Sequence, residues 1–358
     1  GVRTSTIARL SRQLVDSVHL ARHGTADDRR RQADAERTLA ELLLPSALAA
    51  AITPLERLTI VGLDSHGYVP FEALRRPDGR RLGTAHAIAY LPSANLGCWL
   101  ARNRPAPTPA ASIDLRLVAC PEVVPTGSPT LQPLAFSRTE RDELLHAASA
   151  ANARVFLGST ATLDAALGHP TSLLEIVAHG VRDERRSDPQ GIVFGDGQTA
   201  WTNDFATRQL PSWVVFAACR AGRGRFRPGD DGRHLLGGAS LLAGARAVLA
   251  PHLEIDYRTT LALLGALNRG LLHDGVPFDE ALRRARVAIG GDDAPVDAFL
   301  LHLHGLGDVP LVAAAGGEPR PATITQEEGG RTGWLPWLLA AAAIAAVGAT
   351  VALRRRRT

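Results

Sequence analysis

Cysteine and histidine side chains follow several predicted buried strands, at the points where those strands end. Cys219 comes just after the apolar run Trp213–Ala217, and His179 follows the run Leu174–Ala178. Cys219 lies 40 residues after His179, a spacing that one crossover connection and a small excursion would fill. An imidazole beside a thiol lowers the pKa of the thiol and can protonate a leaving amine. The pair is therefore a candidate for nucleophilic catalysis.

Other polar side chains compete for this role, because the carboxyl ends of parallel strands line one edge of an open sheet. They are Asp64, Ser65 and His66 after the first predicted strand, Cys120 after the third, and His252, Glu254 and Asp256 after the sixth. Buried cysteines and strand-end histidines are commonly structural. Spacing alone leaves the roles of His179 and Cys219 open.

The other two cysteines are weaker candidates. Pro121 removes the backbone N–H that would follow Cys120, which weakens any oxyanion site there. Cys98 stands beside Trp99 in a predicted helix, and we expect it in the core.

Backbone groups and acidic side chains complete the candidate site. Gly180 leaves room for a substrate carbonyl, so we expect the amides of Gly180 and Cys219 to bind an oxyanion. Glu254 and Asp256 are candidates for contacting a basic substrate side chain. For Asp256 we favour capping of the helix that begins near Thr259.

Short apolar runs alternate with helical stretches, which predicts an α/β fold with a mainly parallel central sheet flanked by helices. The predicted strands are Leu58–Leu63, Ile88–Leu91, Leu115–Ala119, Leu174–Ala178, Trp213–Ala217 and Ala247–Ala250. The predicted helices are Ser137–Ala151, Thr162–Leu167, His234–Leu242, Thr259–Leu272 and Phe278–Ile289.

Composition divides the chain into five segments. They are a helical N-terminal segment (1–50), the α/β domain (51–313), a flexible linker (314–333), a transmembrane helix (334–353) and a basic tail (354–358). The segment Trp334–Leu353 is apolar without a charge, has the length of a bilayer core and begins with tryptophans suited to the interface. We therefore expect a single-pass membrane protein.

The orientation in the membrane stays open. Arg354–Arg357 would keep the C-terminus cytoplasmic and place the domain outside. Three widely spaced cysteines without a CxxC pair, and a start without a secretory signal, instead favour free thiols and a cytoplasmic domain.

Composition also limits the partners. The formal charge of +4 is accounted for by the four terminal arginines, so we expect no nucleic acid. The cysteine spacing argues against a zinc site, and we expect no metal or cofactor. Because the chain begins at Gly1 without Met, we expect an N-terminal or separate activator subunit.

Several motifs, in order and spacing, resemble the CHAT family of caspase-like, separase-related cysteine peptidases over residues 55–312. The motifs are Leu58–Asp64 followed by Gly67–Leu74, Ile88–Ser93, Glu175–Gly180, Phe216–Gly222, Gly238–Ala250 and Gly307–Asp308. Glu175–Gly180 is similar to the catalytic histidine motif, and Phe216–Gly222 is similar to the catalytic cysteine motif. No single motif is specific, since His–Gly pairs also occur at His66 and His304.

The resemblance implies a caspase-like sandwich and a cysteine endopeptidase with a Cys–His dyad and a peptide or protein substrate. It also implies a role in prokaryotic signalling, defence or regulated cell death. Arg220 departs from the acidic residue that many relatives carry, and tetratricopeptide repeats are absent because residues 1–50 are too short. Two alternatives are a catalytically silent binding or scaffold module tethered to the membrane, and an acyl-transfer or thioesterase enzyme.

Overall fold

The computed structural model describes most of the chain between residues 25 and 312. The described stretches are residues 25–61, 69–107, 113–120, 152–219, 221–222, 236–312 and 325–328, with individual residues within 6–16 and 123–145.

Twelve strands occur in the described stretches. In chain order they are β1 (Arg57–Val61), β2 (Ala87–Leu91), β3 (Asp114–Ala119), β4 (Asn152–Leu157), β5 (Leu173–Val177), β6 (Gly180–Arg182), β7 (Gln190–Val193), β8 (Thr199–Trp201), β9 (Trp213–Ala217), β10 (Ala247–Pro251), β11 (Leu301–Gly305) and β12 (Thr325–Glu328). Nine of them form one sheet in the order β1-β2-β11-β10-β9-β5-β3-β4-β12, and β6, β7 and β8 form a small antiparallel sheet.

The large sheet contains two parallel blocks of opposite direction. β11 pairs antiparallel with β10 and parallel with β2, while the other neighbouring strands pair in parallel. The carboxyl ends of β3, β5, β9 and β10 therefore share one edge, whereas β1 and β2 end at the opposite edge. The predicted mainly parallel α/β sheet is confirmed. The expectation that all strand ends share one edge is wrong for β1.

Helices cover both faces of the sheet. In chain order they are α1 (Ala26–Leu43), α2 (Ser46–Ile52), α3 (Leu82–Ala85), α4 (Ala94–Arg102), α5 (Leu163–Leu167), α6 (Thr202–Ala206), α7 (Leu236–Leu242), α8 (Tyr257–Asn268) and α9 (Phe278–Ala288). The central strands are consequently buried along their whole length, and they lack the alternation of a half-exposed strand.

Two apolar clusters fill the space between sheet and helices. One cluster contains Val177 and Val215, together with residues of α1, α8 and α9. The other contains Ile176 and Phe216, together with residues of α5, α6 and α7. Since successive side chains of a strand point to opposite faces, the clusters identify which face each strand residue occupies.

Arg246 and Asp308, which belong to two of the sequence motifs, form an ion pair. Nη2 of Arg246, in the turn before β10, donates to Oδ1 of Asp308 at 2.7 Å, and Nη1 donates to the carbonyl of Leu100. Gly307 is required by close packing, because a Cβ there would lie 2.8 Å from the amide nitrogen of Asp279. The segment after β11 is thereby fixed against α4 and α9.

The C-terminal expectations have different outcomes. Thr325–Glu328, inside the predicted linker, forms an edge strand parallel to β4, since edge pairing needs only main-chain hydrogen bonds. The predicted transmembrane helix (334–353) and basic tail (354–358) lie outside the described residues. Within the described stretches, no helix combines the length and apolarity needed to cross a bilayer.

Candidate active site

His179 and Cys219 follow two neighbouring strands of the sheet. β5 and β9 pair in parallel with Val177 opposite Ala217, and the N–H of Ala178 donates to the carbonyl of Ala217 at 3.3 Å. Continuing this register by two residues brings His179 opposite Cys219. Residues at one level of adjacent strands point to the same face, so both side chains occupy the face of Val177.

The main chain of Gly180 lies directly against that of Cys219. A Cβ placed on Gly180 would be 1.8 Å from the carbonyl oxygen of Cys219 and 3.0 Å from its amide nitrogen. No side chain fits at this position. Glycine is therefore required at position 180, because only glycine permits the close approach of the histidine and cysteine segments. The sequence alone did not reveal this requirement.

The main chain on the far side of His179 is also fixed. The N–H of Val193 donates to the carbonyl of His179 at 3.0 Å, which joins the end of β5 to β7. His179 itself is buried, with 6% of its surface exposed. Because bonded and non-bonded pairs alternate in an antiparallel ladder, the N–H of Gly180 points away from β7.

Cys219 is only partly buried and sits at the start of a tight turn. The N–H of Ala221 donates to the carbonyl of Ala218 at 3.1 Å, and the N–H of Gly222 donates to the carbonyl of Pro251 at 2.7 Å. The Sγ of Cys219 lies 3.8 Å from the carbonyl oxygen of Ile255. The thiol is thus placed by the turn that follows β9 and by the segment that follows β10.

Cys120 has a different environment, although its strand also neighbours β5. Its N–H donates to the carbonyl of Val177, so Cys120 stands level with Ala178 and belongs to the cluster on the opposite face from His179. The thiol donates to the carbonyl of Val193 at 3.1 Å. Burial raises the pKa of the Cys120 thiol to about 12, which keeps it protonated and unreactive.

Cys98 lies in α4 and its side chain is exposed, as is that of Trp99. The expectation that Cys98 belongs to the core is wrong. The buried positions of α4 are Gly97 and Leu100, because the turn of the helix directs its neighbours outward.

The acidic residues after β10 divide into two roles. Asp256 is the N-cap of α8, where its Oδ2 accepts hydrogen bonds from the amide and hydroxyl of Thr259 at 2.9 and 3.0 Å. The capping interpretation is confirmed. Glu254 is partly buried and adjoins Ile255, whose carbonyl contacts Cys219.

The remaining strand-end candidates have different outcomes. Asp64, Ser65 and His66 lie outside the described residues, and β1, which precedes them, ends at the opposite edge of the sheet. His252 is buried beside the turn of Cys219, within a polar network that the sequence analysis missed.

That network consists of His252 and buried side chains of β2, β11 and α9, joined to Glu72. Oε2 of Glu72 accepts a hydrogen bond from the hydroxyl of Tyr90 and lies 3.0 Å from Nδ1 of His302. The guanidinium of Arg286 is 3.7 Å from Oε1. Burial raises the pKa of Glu72 to about 7, while Arg286 and Tyr90 oppose this shift. Glu72 and Tyr90 stand in Gly67–Leu74 and Ile88–Ser93, so the motifs were a usable signal.

A recess of about 220 Å³ lies at the opposite edge of the sheet from His179 and Cys219. Arg116 lines it and donates to the carbonyls of Ala166 and His169 at 3.2 and 3.0 Å. Its guanidinium therefore holds the end of α5, and we assign this recess a structural role. Among the described residues no group of His, Cys, Asp and Glu has the arrangement of a metal site.

The fold is a mainly parallel α/β sheet in which a histidine and a partly buried cysteine follow neighbouring strands at one level. The family model of the CHAT domain matches residues 33–300, and the chain belongs to this family. No curated protein matches the sequence.

Two solved structures are similar at low identity. One is the Arg-specific cysteine proteinase gingipain R, at 10% identity and a TM-score of 0.46, covering 84% of this chain and 76% of that chain. The other is the complex of the Porphyromonas gingivalis RgpB pro- and mature domains, at 11% identity and a TM-score of 0.44, covering 86% and 76%.

Proposed function

We propose that the chain is a cysteine endopeptidase in which Cys219 is the nucleophile and His179 is the general acid and base. The observation that carries the proposal is the seating of Gly180 on the main chain of Cys219, which fixes the two segments in register on one face. The buried, high-pKa thiol of Cys120 points to the other face, so it does not compete.

The proposed reaction proceeds in two steps. The Cys219 thiolate attacks the scissile carbonyl carbon and forms the S–C bond, and the C–N bond breaks as His179 protonates the leaving amine. Water, losing a proton to His179, then attacks the thioester. The S–C bond breaks, the carboxylic acid leaves and the thiolate is restored.

Main-chain amides supply the oxyanion site in this proposal. The N–H of Gly180 points away from β7, on a residue packed against Cys219. Together with the amide of Cys219 it would hold the oxyanion that forms at each step. Preorganised donors of this kind contribute strongly to acyl transfer.

Glu254 is our proposed contact for a basic substrate side chain. It adjoins Ile255, which touches the thiol, whereas the carboxylate of Asp256 is engaged in capping α8. Glu254→Gln is expected to lower kcat/KM for substrates with a basic side chain by about tenfold and to spare uncharged ones. Equal losses for both substrate classes would contradict this assignment.

The test of the peptidase proposal uses the full chain in mild detergent and peptidyl electrophiles with basic or small terminal residues. We expect covalent labelling, mapped by mass spectrometry, at Cys219. It should be lost in Cys219→Ala and in His179→Ala and retained in the matched control Cys120→Ala. Labelling that persists in His179→Ala, or that occurs only at exposed Cys98, would contradict the dyad and favour a silent binding module.

We also propose that residues 334–353 span a membrane once, which would tether the peptidase domain through residues 329–333, which follow β12. The full chain should float with lipid vesicles after alkaline washing. A chain ending at residue 333 should stay in the wash, and co-flotation of that truncated chain would contradict the proposed anchor.

A further inference from the structure

Two buried histidines, His252 after β10 and His304 in β11, meet through their Nε2 edges. Their ring centroids are 5.0 Å apart at an interplanar angle of 24°, and their Nε2 atoms are 3.0 Å apart. At this distance one Nε2–H donates a hydrogen bond to the other Nε2, because two N–H groups would repel and two unprotonated nitrogens could not bond. The contact therefore needs at least one neutral ring.

Two glycines that follow Cys219 in the chain, Gly222 and Gly237, lie against this pair. A Cβ on Gly222 would lie 2.8 Å from Cδ2 of His252, and a Cβ on Gly237 would lie 3.1 Å from Cδ2 of His304. Gly222 also donates its N–H to the carbonyl of Pro251, the residue before His252. The turn that bears the nucleophile is thus seated on the His252 ring and bonded to the main chain beside it.

A second contact joins the same segment to the thiol itself. Ile255, three residues after His252, provides the carbonyl oxygen that lies 3.8 Å from Sγ of Cys219. A displacement of His252 would therefore move both the turn after Cys219 and the group that touches its sulfur. Neither contact brings His252 to the reacting carbonyl, so its role is indirect.

The pair is held from behind by the buried network. The ring of His252 packs edge-on to that of His302 at 5.1 Å and 82°, and His302 contacts Glu72. His304 faces the ring of Tyr90 at 6.2 Å. These contacts tie His252 to β2 and β11, and through Glu72 to Arg286 on α9. The support under the turn therefore consists of fixed elements of the sheet and one helix.

We propose that His252, hydrogen-bonded to His304, is a positioning residue that fixes the turn and thiol of Cys219. This inference rests on the proposed peptidase function, because only a reactive thiol needs such placement. Burial lowers the pKa of His304 to about 4 and that of His302 well below its usual value, so both rings stay neutral near pH 7.

The test measures alkylation of the full chain by iodoacetamide across pH, with the modified cysteines resolved by mass spectrometry and exposed Cys98 as internal reference. In the wild type, Cys219 should react at lower pH than in His179→Ala. In His252→Ala the ratio of Cys219 to Cys98 alkylation should fall about tenfold or more, and the pH midpoint of Cys219 alkylation should move upward. His252→Gln, which keeps a hydrogen bond to His304, should restore most of it.

A matched control separates positioning from general destabilisation. His86 is equally buried and bonds the carbonyl of Leu55 outside the network. His86→Ala should lower stability without changing the ratio of Cys219 to Cys98 alkylation. If His252→Ala does not fold, Gly222→Ala provides the second variant, since its Cβ pushes the turn off the ring and should reduce the same ratio.

The two proposals fail differently. If His179→Ala alkylates at Cys219 as the wild type does, the peptidase proposal is overturned and this inference with it. If the ratio of Cys219 to Cys98 alkylation in folded His252→Ala, or in Gly222→Ala, stays within about threefold of wild type, the positioning role alone is overturned.

Discussion

Two cysteines flank β5 at the same edge of the sheet, one after β3 and one after β9. Cys120 stands level with Ala178, and Cys219 stands level with His179. This difference of one residue directs the two thiols to opposite faces. Cys120 is fully buried against the carbonyl of Val193, whereas Cys219 is partly exposed above the main chain of Gly180. Register, and not distance along the chain, decides which thiol shares a face with the histidine.

The largest effect should come from filling the space between the histidine and cysteine segments. Gly180→Ala places a Cβ 1.8 Å from the carbonyl of Cys219, so one strand end must shift at a cost of about 3 kcal/mol. We expect loss of Cys219 labelling and a lower melting temperature.

Gly265→Ala on α8 is the matched control, because its Cβ would meet nothing within 4 Å. Helix propensity predicts a gain of up to about 1 kcal/mol and unchanged labelling. Equal effects of the two substitutions would contradict the close approach at Cys219.

A second prediction concerns the face that carries His179. Glu175 shares it and is buried, with Nδ2 of Asn268 donating to its Oε2 at 3.1 Å, and burial raises its pKa to about 7. The folded pKa of Glu175 exceeds the unfolded value of 4.5. Its contribution to the free energy of unfolding is therefore complete below about pH 4.5 and is lost as the pH rises through about 7.

Glu175→Gln removes this ionisation. At about pH 8 the variant should be more stable than the wild type by up to about 3 kcal/mol, and near pH 4 the two should differ by less than about 1 kcal/mol. Urea unfolding at both pH values measures the difference. A variant that is destabilised equally at both would show that Glu175 is not a buried acid.

The smallest effect tests the cysteine on the other face. Cys120→Ala removes a buried sulfur and its hydrogen bond to Val193, so we expect a loss of about 1 to 2 kcal/mol. Labelling of Cys219 should stay within about twofold of wild type. A large loss of labelling with little change in stability would reverse the assignment of the two thiols.

Much of the central sheet follows from apolar runs. β2, β9 and β10 are continuous apolar stretches, and β3 and β5 are apolar apart from Asp114, Arg116 and Glu175. The predicted bounds of all five strands agree with the structure to within two residues. β11 was not predicted, because His302 and His304 interrupt its leucines and it is not a continuous apolar run, although both histidines are buried. Their burial depends on Glu72 and Tyr90, which are distant in sequence.

The candidate site was predictable in its residues and less so in its geometry. His179 and Cys219 follow from strand ends and motifs. The face of each thiol depends on strand register, which no local pattern specifies. The reversed direction of β1 and β2 likewise depends on the antiparallel pairing of β11 with β10, so the expected convergence of all strand ends failed at β1.

The most direct test of the comparison follows the three thiols of one full chain through a pH series with a small alkylating reagent. The account predicts that Cys219 reacts at the lowest pH and depends on His179, that exposed Cys98 reacts in the folded chain independently of His179, and that Cys120 reacts only on unfolding. Reaction of Cys120 in the folded chain, or equal pH profiles for Cys219 in the wild type and His179→Ala, would contradict it.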